Sequence, residues 1–158
     1  TMSGIIGVSP DMKSGVIGRF PAGHVLQVVI DADDGYETHG AASWDTVHSI
    51  AISNVKSGSH VHIMASISTL TENAGLVAFQ IIDSVGGVVA ISQNNTGGVS
   101  SWHSNFPSMM GKDTSPLVGT NTYTVQIRPS SGFTAYYNYD TATHQGTRSY
   151  YQLMEVVA

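Results

Sequence analysis

Past Pro21 the chain alternates apolar and polar residues with the two-residue period of a β-strand, in runs broken by Gly, Asn, Asp and Ser. The pattern predicts strands at 24–31, 46–53, 59–69, 76–83, 87–92, 121–128, 133–139 and 149–157. In the third of these Val61, Ile63, Ala65 and Ile67 take one face and His60, His62, Met64 and Ser66 the other, so the first set is predicted core. Tyr123, Val125 and Ile127 alternate in the same way with Thr122, Thr124, Gln126 and Arg128. Pro129-Ser130-Ser131-Gly132 then has turn chemistry, which predicts a hairpin into a strand whose faces are Phe133, Ala135, Tyr137, Tyr139 and Tyr136, Asn138, Asp140. Further turns are expected at Glu72-Asn73-Ala74-Gly75 and Gly86-Gly87. No window of 11 residues has helical periodicity, and the predicted fold is all-β, an antiparallel β-sandwich.

The first 23 residues break the pattern. Ser3-Gly4-Ile5-Ile6-Gly7 recurs eleven positions later as Ser14-Gly15-Val16-Ile17-Gly18. Glycine makes an isolated strand costly to order, so Ile5, Ile6, Val16 and Ile17 are expected to settle against another surface. This divides the chain into an N-terminal docking arm, 1–23, and a β-sandwich head, 24–158. Two connections exceed the usual two to six residues, Asp31 to Asp45 and Ser104 to Asn121. The second contains Met109-Met110, a pair suited to a contact surface.

Composition sharpens the assembly reading. Charged residues make up 11% of the 158 positions, against about 25% in a typical globular chain, and Ser, Thr, Gly and Asn take their place. Neutral surfaces of this kind suit obligate oligomers. The formal net charge of −5, with few Lys and Arg, leaves no basic stripe for phosphates, so nucleic acid is not an expected partner. Without cysteine there is neither a disulfide framework nor a thiol nucleophile. No window is apolar over the ~18 residues of a membrane span, and no basic leader opens the sequence, so membrane insertion and Sec-type export are not expected.

Candidate chemistry is sparse. His60 and His62 sit two apart on one strand face, the spacing by which cupin jelly rolls hold a metal, but Ser66 and Ile67 stand where the carboxylate ligand should follow. Asp31, Asp33 and Asp34, with Glu37, crowd carboxylates into a loop suited to calcium, although Asp at 1, 3 and 4 with Gly at 5 departs from the EF-hand pattern. The expectation is no cofactor, with calcium or a transition metal as the exceptions to test. No Gly-x-Ser-x-Gly elbow, phosphate loop or distinguished carboxylate pair appears, so the chain reads as non-enzymatic. Trp102, His103 and Tyr36 are the leading candidates for a ligand-binding surface, and Trp44, Tyr136 and Tyr150 are further rings able to stack on a sugar.

The opening Met2-Ser3-Gly4-Ile5-Ile6-Gly7, the repeat Ser14-Gly15-Val16-Ile17-Gly18, and Pro21-Ala22-Gly23-His24-Val25-Leu26-Gln27-Val28-Val29 resemble small structural proteins of tailed bacteriophages, especially marine and cyanobacterial ones. So do Thr122–Arg128, the Ser-Ser-Gly turn, Phe133–Asn138 and the terminal Leu153-Met154-Glu155-Val156. The resemblance covers about a third of the chain and contains no catalytic signature. It implies a jelly roll similar to the tumour-necrosis-factor-like heads of virion fibres, associated as a homotrimer, with other virion proteins as partners and a host surface glycan as a candidate ligand. The expected role is a trimeric fibre or knob component, or a capsid decoration protein, on the surface of the particle. A free carbohydrate-binding jelly-roll module is the alternative, and a cupin-like metalloenzyme the third reading.

Overall fold

A computed structural model describes residues 22–40, 42–71, 75–95, 103–139 and 147–158. The predicted arm, 1–23, lies outside them except for Ala22 and Gly23, as do the turn residues Glu72, Asn73 and Ala74. The elements are β1 (Val25–Asp33), β2 (Glu37–His39), β3 (Asp45–Val55), β4 (Ser59–Ser66), β5 (Thr69–Thr71) and β6 (Leu76–Ile82), followed by β7 (Val88–Asn95), β8 (His103–Asn105), β9 (Ser108–Asp113), β10 (Gly119–Pro129), β11 (Ala135–Tyr137) and β12 (Ser149–Val157). Every pairing among them is antiparallel.

Three four-stranded sheets run β1-β12-β4-β9, β3-β10-β6-β7 and β2-β11-β5-β8. The short third sheet repeats the order of the first, because β2 continues β1, β5 continues β4, β8 leads into β9 and β11 precedes β12. It is the far end of one sheet whose four strands all break at the same level. Counting each broken strand once, eight strands run 1-8-3-6 in one sheet and 2-7-4-5 in the other, the two interlocked Greek keys of a jelly roll. The all-β sandwich expectation holds, and the inward faces of both sheets meet in one core. Val61, Ile63, Ala65 and Ile67 meet Tyr123, Val125 and Ile127 there, all at most 4% exposed, as their alternation predicts.

Three local expectations need correction. The Ser104–Asn121 connection contains β8 and β9 and forms an edge of the first sheet; Met109 is buried in the core, whereas Met110 is 79% exposed. The Asp31–Asp45 connection likewise contains β2. The Pro129–Gly132 turn exists, with Phe133 N–H donating to Ser130 O, but it is no hairpin, since β10 pairs with β3 and β6 while β11 pairs with β2 and β5. It carries the chain across the sandwich, and β11 stops where Asn138 takes φ 53°.

The Gly86-Gly87 hairpin is as expected. β6 and β7 pair, and the Asp83 carboxylate accepts from Val85 N–H (3.0 Å) and Gly87 N–H (2.7 Å). Asp83→Ala is expected to cost about 1 kcal/mol, read as a lower urea midpoint with the slope unchanged.

The two seams of the sandwich close differently. Along one, β1 meets β3 through Gln27 Nε2 donating to Ser53 O (2.7 Å) and through His48 against Asp31. Along the other, β7 and β9 approach so closely that a Cβ on Gly111 would lie 2.6 Å from Val89 O.

Candidate functional site

The register of the first sheet sets its outer face in rows. Val28, Met154, His62 and Lys112 align across β1, β12, β4 and β9; Ile30, Gln152, Met64 and Met110 form the next row, and Ala32, Tyr150, Ser66 and Ser108 the one after. The rows between them, such as Val29-Leu153-Ile63-Gly111, point inward. No carboxylate lies in these three outer rows, and Lys112 supplies the one fixed charge. Ile30 is 72% exposed, Tyr150 53% and Val28 46%. A groove of about 300 Å³ crosses the strands between the second and third rows, with Ile30, Met64, Met110 and Tyr150 on its walls. Covering each such side chain would return on the order of 1 kcal/mol or more.

His60 and His62 stand on this outer face, in phase with Met64. The nearest carboxylate in sequence register, Glu155, pairs opposite Val61 and points inward. It is buried, accepting from Lys56 N–H (2.7 Å) and Gln27 Nε2 (2.7 Å). Among the described residues no three His, Asp or Glu side chains are grouped to hold a metal ion.

The acidic segment is dispersed. Asp31 and Asp33, two apart on β1, point the same way and bracket His48 of β3, with Oδ2 of Asp31 3.1 Å from Nε2 and Oδ2 of Asp33 3.5 Å from Nδ1. Tyr151 stacks on the imidazole at 4.4 Å and hydrogen-bonds Tyr137, which donates in turn to Asp33 (3.0 Å). Burial pushes the Tyr151 phenol up to about 12 and the Tyr137 phenol higher still. Asp34 instead faces solvent and pairs with Arg148 at 3.1 Å. A second histidine clasp ties β2 to β3, with His39 3.2 Å from Glu37 and 3.4 Å from Asp45. Both clasps join the two sheets, and sequence reasoning missed them; the signal available was the period-two spacing of Asp31 and Asp33, which places both carboxylates on the core side of an edge strand.

At the level where the first sheet breaks, Tyr36 meets two rings from β11 and the segment after it. Tyr36 and Tyr136 lie nearly parallel, centroids 6.4 Å apart at 13°, while Tyr139 is tilted against both at 5.3 and 5.6 Å. Of the other predicted ligand residues, His103 lies in β8 opposite Thr71, and Trp102 falls outside the described residues together with Ile5, Ile6, Val16 and Ile17. Trp44 is half-buried beneath the Arg128 guanidinium, 4.5 Å from its ring centre.

No protein-family profile matches the chain, and no curated protein matches it. Among solved structures it is similar to the carbohydrate-binding module TmCBM61 in complex with β-1,4-galactotriose, at 13% identity and TM-score 0.35 over 79% of this chain and 86% of that one. It is similar also to the arabinose-bound α-L-arabinofuranosidase MgGH51, at 13% identity and TM-score 0.30 over 81% of this chain and 23% of that one. A third likeness is to the Gx strain of infectious bursal disease virus, at 12% identity and TM-score 0.30 over 99% of this chain and 43% of that one.

Proposed function

We propose that this chain is a non-enzymatic structural subunit of a bacteriophage particle, a jelly-roll head held in a homotrimer and joined to other virion proteins by its N-terminal arm. The observation that supports it is the apolar outer face of β1-β12-β4-β9. A free monomer gains nothing from exposing Val28, Ile30, Met110 and Tyr150 together in rows that hold no carboxylate, whereas a subunit covers such a face on assembly. The low charge of the whole chain supports the same reading. Three arms anchored together raise one another's effective concentration, so weak individual docking becomes durable.

Light scattering of the full chain is expected to give about 50 kDa, three copies of a 16.7 kDa chain. Ile30→Lys with Met110→Lys is expected to lower that mass toward one copy while the far-UV circular dichroism stays unchanged. A wild-type mass of 16.7 kDa at all accessible concentrations would overturn the trimer. Absence of the chain from purified particles would overturn the virion role.

A further inference from the structure

The tyrosine cluster lies at the break in the first sheet, apart from the groove rows, and its construction is unlike that of a core. Tyr36 sits in the short bend between β1 and β2, where a large ring 52% exposed contributes little to folding. Yet that bend is fixed on both sides. The fully buried Asn138 donates from Nδ2 to Asp33 O (2.9 Å) and Gly35 O (3.1 Å), and Gly35 N–H donates to the Asp33 carboxylate (2.9 Å). Asn138 is itself held by Ser149 Oγ, which donates to its Oδ1 at 2.7 Å. The ring is as constrained as the backbone, braced by Tyr136 and Tyr139, with its hydroxyl oxygen accepting from Thr38 Oγ1 at 2.8 Å.

A rigid, exposed aromatic ring is a preorganised stacking platform, since its ordering cost is met in the free protein rather than on binding. Its surroundings are polar. Asp34, paired with Arg148 and like it more than half exposed, precedes Tyr36 by two residues, and Glu37 follows it directly. An exposed aromatic face with a carboxylate–guanidinium pair anchored two residues along the same bend matches one ligand chemistry well, a sugar ring, whose apolar C–H face stacks while its rim hydroxyls donate to carboxylate and accept from guanidinium. A nucleobase would stack equally well, but its phosphates would meet Asp34 and Glu37 on a chain of net charge −5.

We infer that Tyr36, braced by Tyr136 and Tyr139 and flanked by Asp34 and Arg148, forms a carbohydrate-binding site. The inference is independent of the assembly reading, because every residue it names belongs to one copy. The test titrates the full chain by isothermal calorimetry with trisaccharides of galactose, glucose, mannose and N-acetylglucosamine. At least one is expected to bind with a Kd at or below the low millimolar range. Tyr36→Ala is expected to weaken that binding about tenfold or more, Tyr36→Phe to preserve it within about threefold, and Tyr150→Ala, on the groove wall, to leave it unchanged. A thermal midpoint for Tyr36→Ala within a few degrees of wild type shows that the head stays folded. Binding by none of the four trisaccharides overturns the site, as does binding that survives Tyr36→Ala or is lost with Tyr150→Ala.

Discussion

Gly111→Ala is expected to destabilise the head by roughly 2–3 kcal/mol, a large effect for one added methyl group. The new Cβ would sit 2.6 Å from Val89 O and 3.0 Å from the Ala90 Cβ, and the first of these is backbone in a paired strand, unable to rotate aside. Either β9 moves off β7 and opens the seam, or β7 shifts against β6 and loses register. On a chain of this length the thermal midpoint should fall by roughly 5–10 °C. Gly40→Ala is the matched control, because among the described residues its Cβ would meet only Thr134 Oγ1 at 3.9 Å. That change is expected to be neutral or to raise stability by up to about 1 kcal/mol through the unfolded chain. Equal midpoints for the two variants would show that the seam is looser than the fold implies. Because β9 also carries Met110, Gly111→Ala should disturb the apolar groove as well, and its light-scattering mass should fall together with its stability.

Gly111 also shows why that edge strand is hard to read in the sequence. β4 is legible because four branched or small apolar residues keep one phase from Val61 to Ile67 and the opposite phase is polar or soft. In β9 the inward phase is Met109, Gly111 and Asp113: one flexible apolar residue, one position without a side chain, and one carboxylate held by the Tyr123 hydroxyl at 2.8 Å. Alternation has nothing to register there, and the strand exists because β4 offers it a ladder. The Pro129–Gly132 segment illustrates the opposite failure. Its turn chemistry is real, but a turn determines only that the chain reverses; which sheet receives the next strand is decided by packing more than thirty residues away, where β5 and β2 wait for β11.

The candidate sites follow the same division. The spacing of His60 and His62 places both on one outer face, and Glu155, opposite Val61, points to the other side of the sheet. Asp31 and Asp33 read locally as a cation loop. Their partner His48 is 15 to 17 positions further along, across the seam, and no local rule joins a strand edge to the histidine that will close it. Tyr36 is legible as an exposed ring, but Tyr136 and Tyr139, which hold it, come from about a hundred residues downstream. The tyrosine cluster, and the contacts of Tyr137 and Tyr151 with Asp33 and His48, depend on the Greek-key crossing that brings β11 and β12 beside β2 and β1.

That crossing also concentrates phenols in the interior, and raising the pH is expected to unfold the head cooperatively above about pH 10. Tyr123, Tyr137 and Tyr151 are each at most 2% exposed, and burial is the leading reason that all three phenols are pushed upward, Tyr151 to about 12 and the other two beyond. The Asp113 carboxylate adds to the effect at Tyr123, and the neighbouring phenol of Tyr151 adds to it at Tyr137. A phenol in the unfolded chain ionises near its ordinary value of 10.0. The folded state therefore holds protons that the unfolded state releases, and stability is undiminished below about pH 10 and falls as the pH rises through 12. Tyr151 alone accounts for roughly 2–3 kcal/mol by pH 12, since each pH unit between the unfolded and folded values is worth about 1.4 kcal/mol, and Tyr123 and Tyr137 lose stability over the same range and above it. Since total stabilities are typically about 5–15 kcal/mol, the three together are enough to empty the native state. Urea midpoints measured from pH 7 to 12 should be flat and then drop steeply beyond 10, with phenolate absorbance at 295 nm rising in step with the loss of β-sheet circular dichroism. If all seven tyrosines ionise near pH 10 while the sheet signal persists, the Tyr137–Tyr151 pair is open to water, and the packing that joins His48 to the core is not as described.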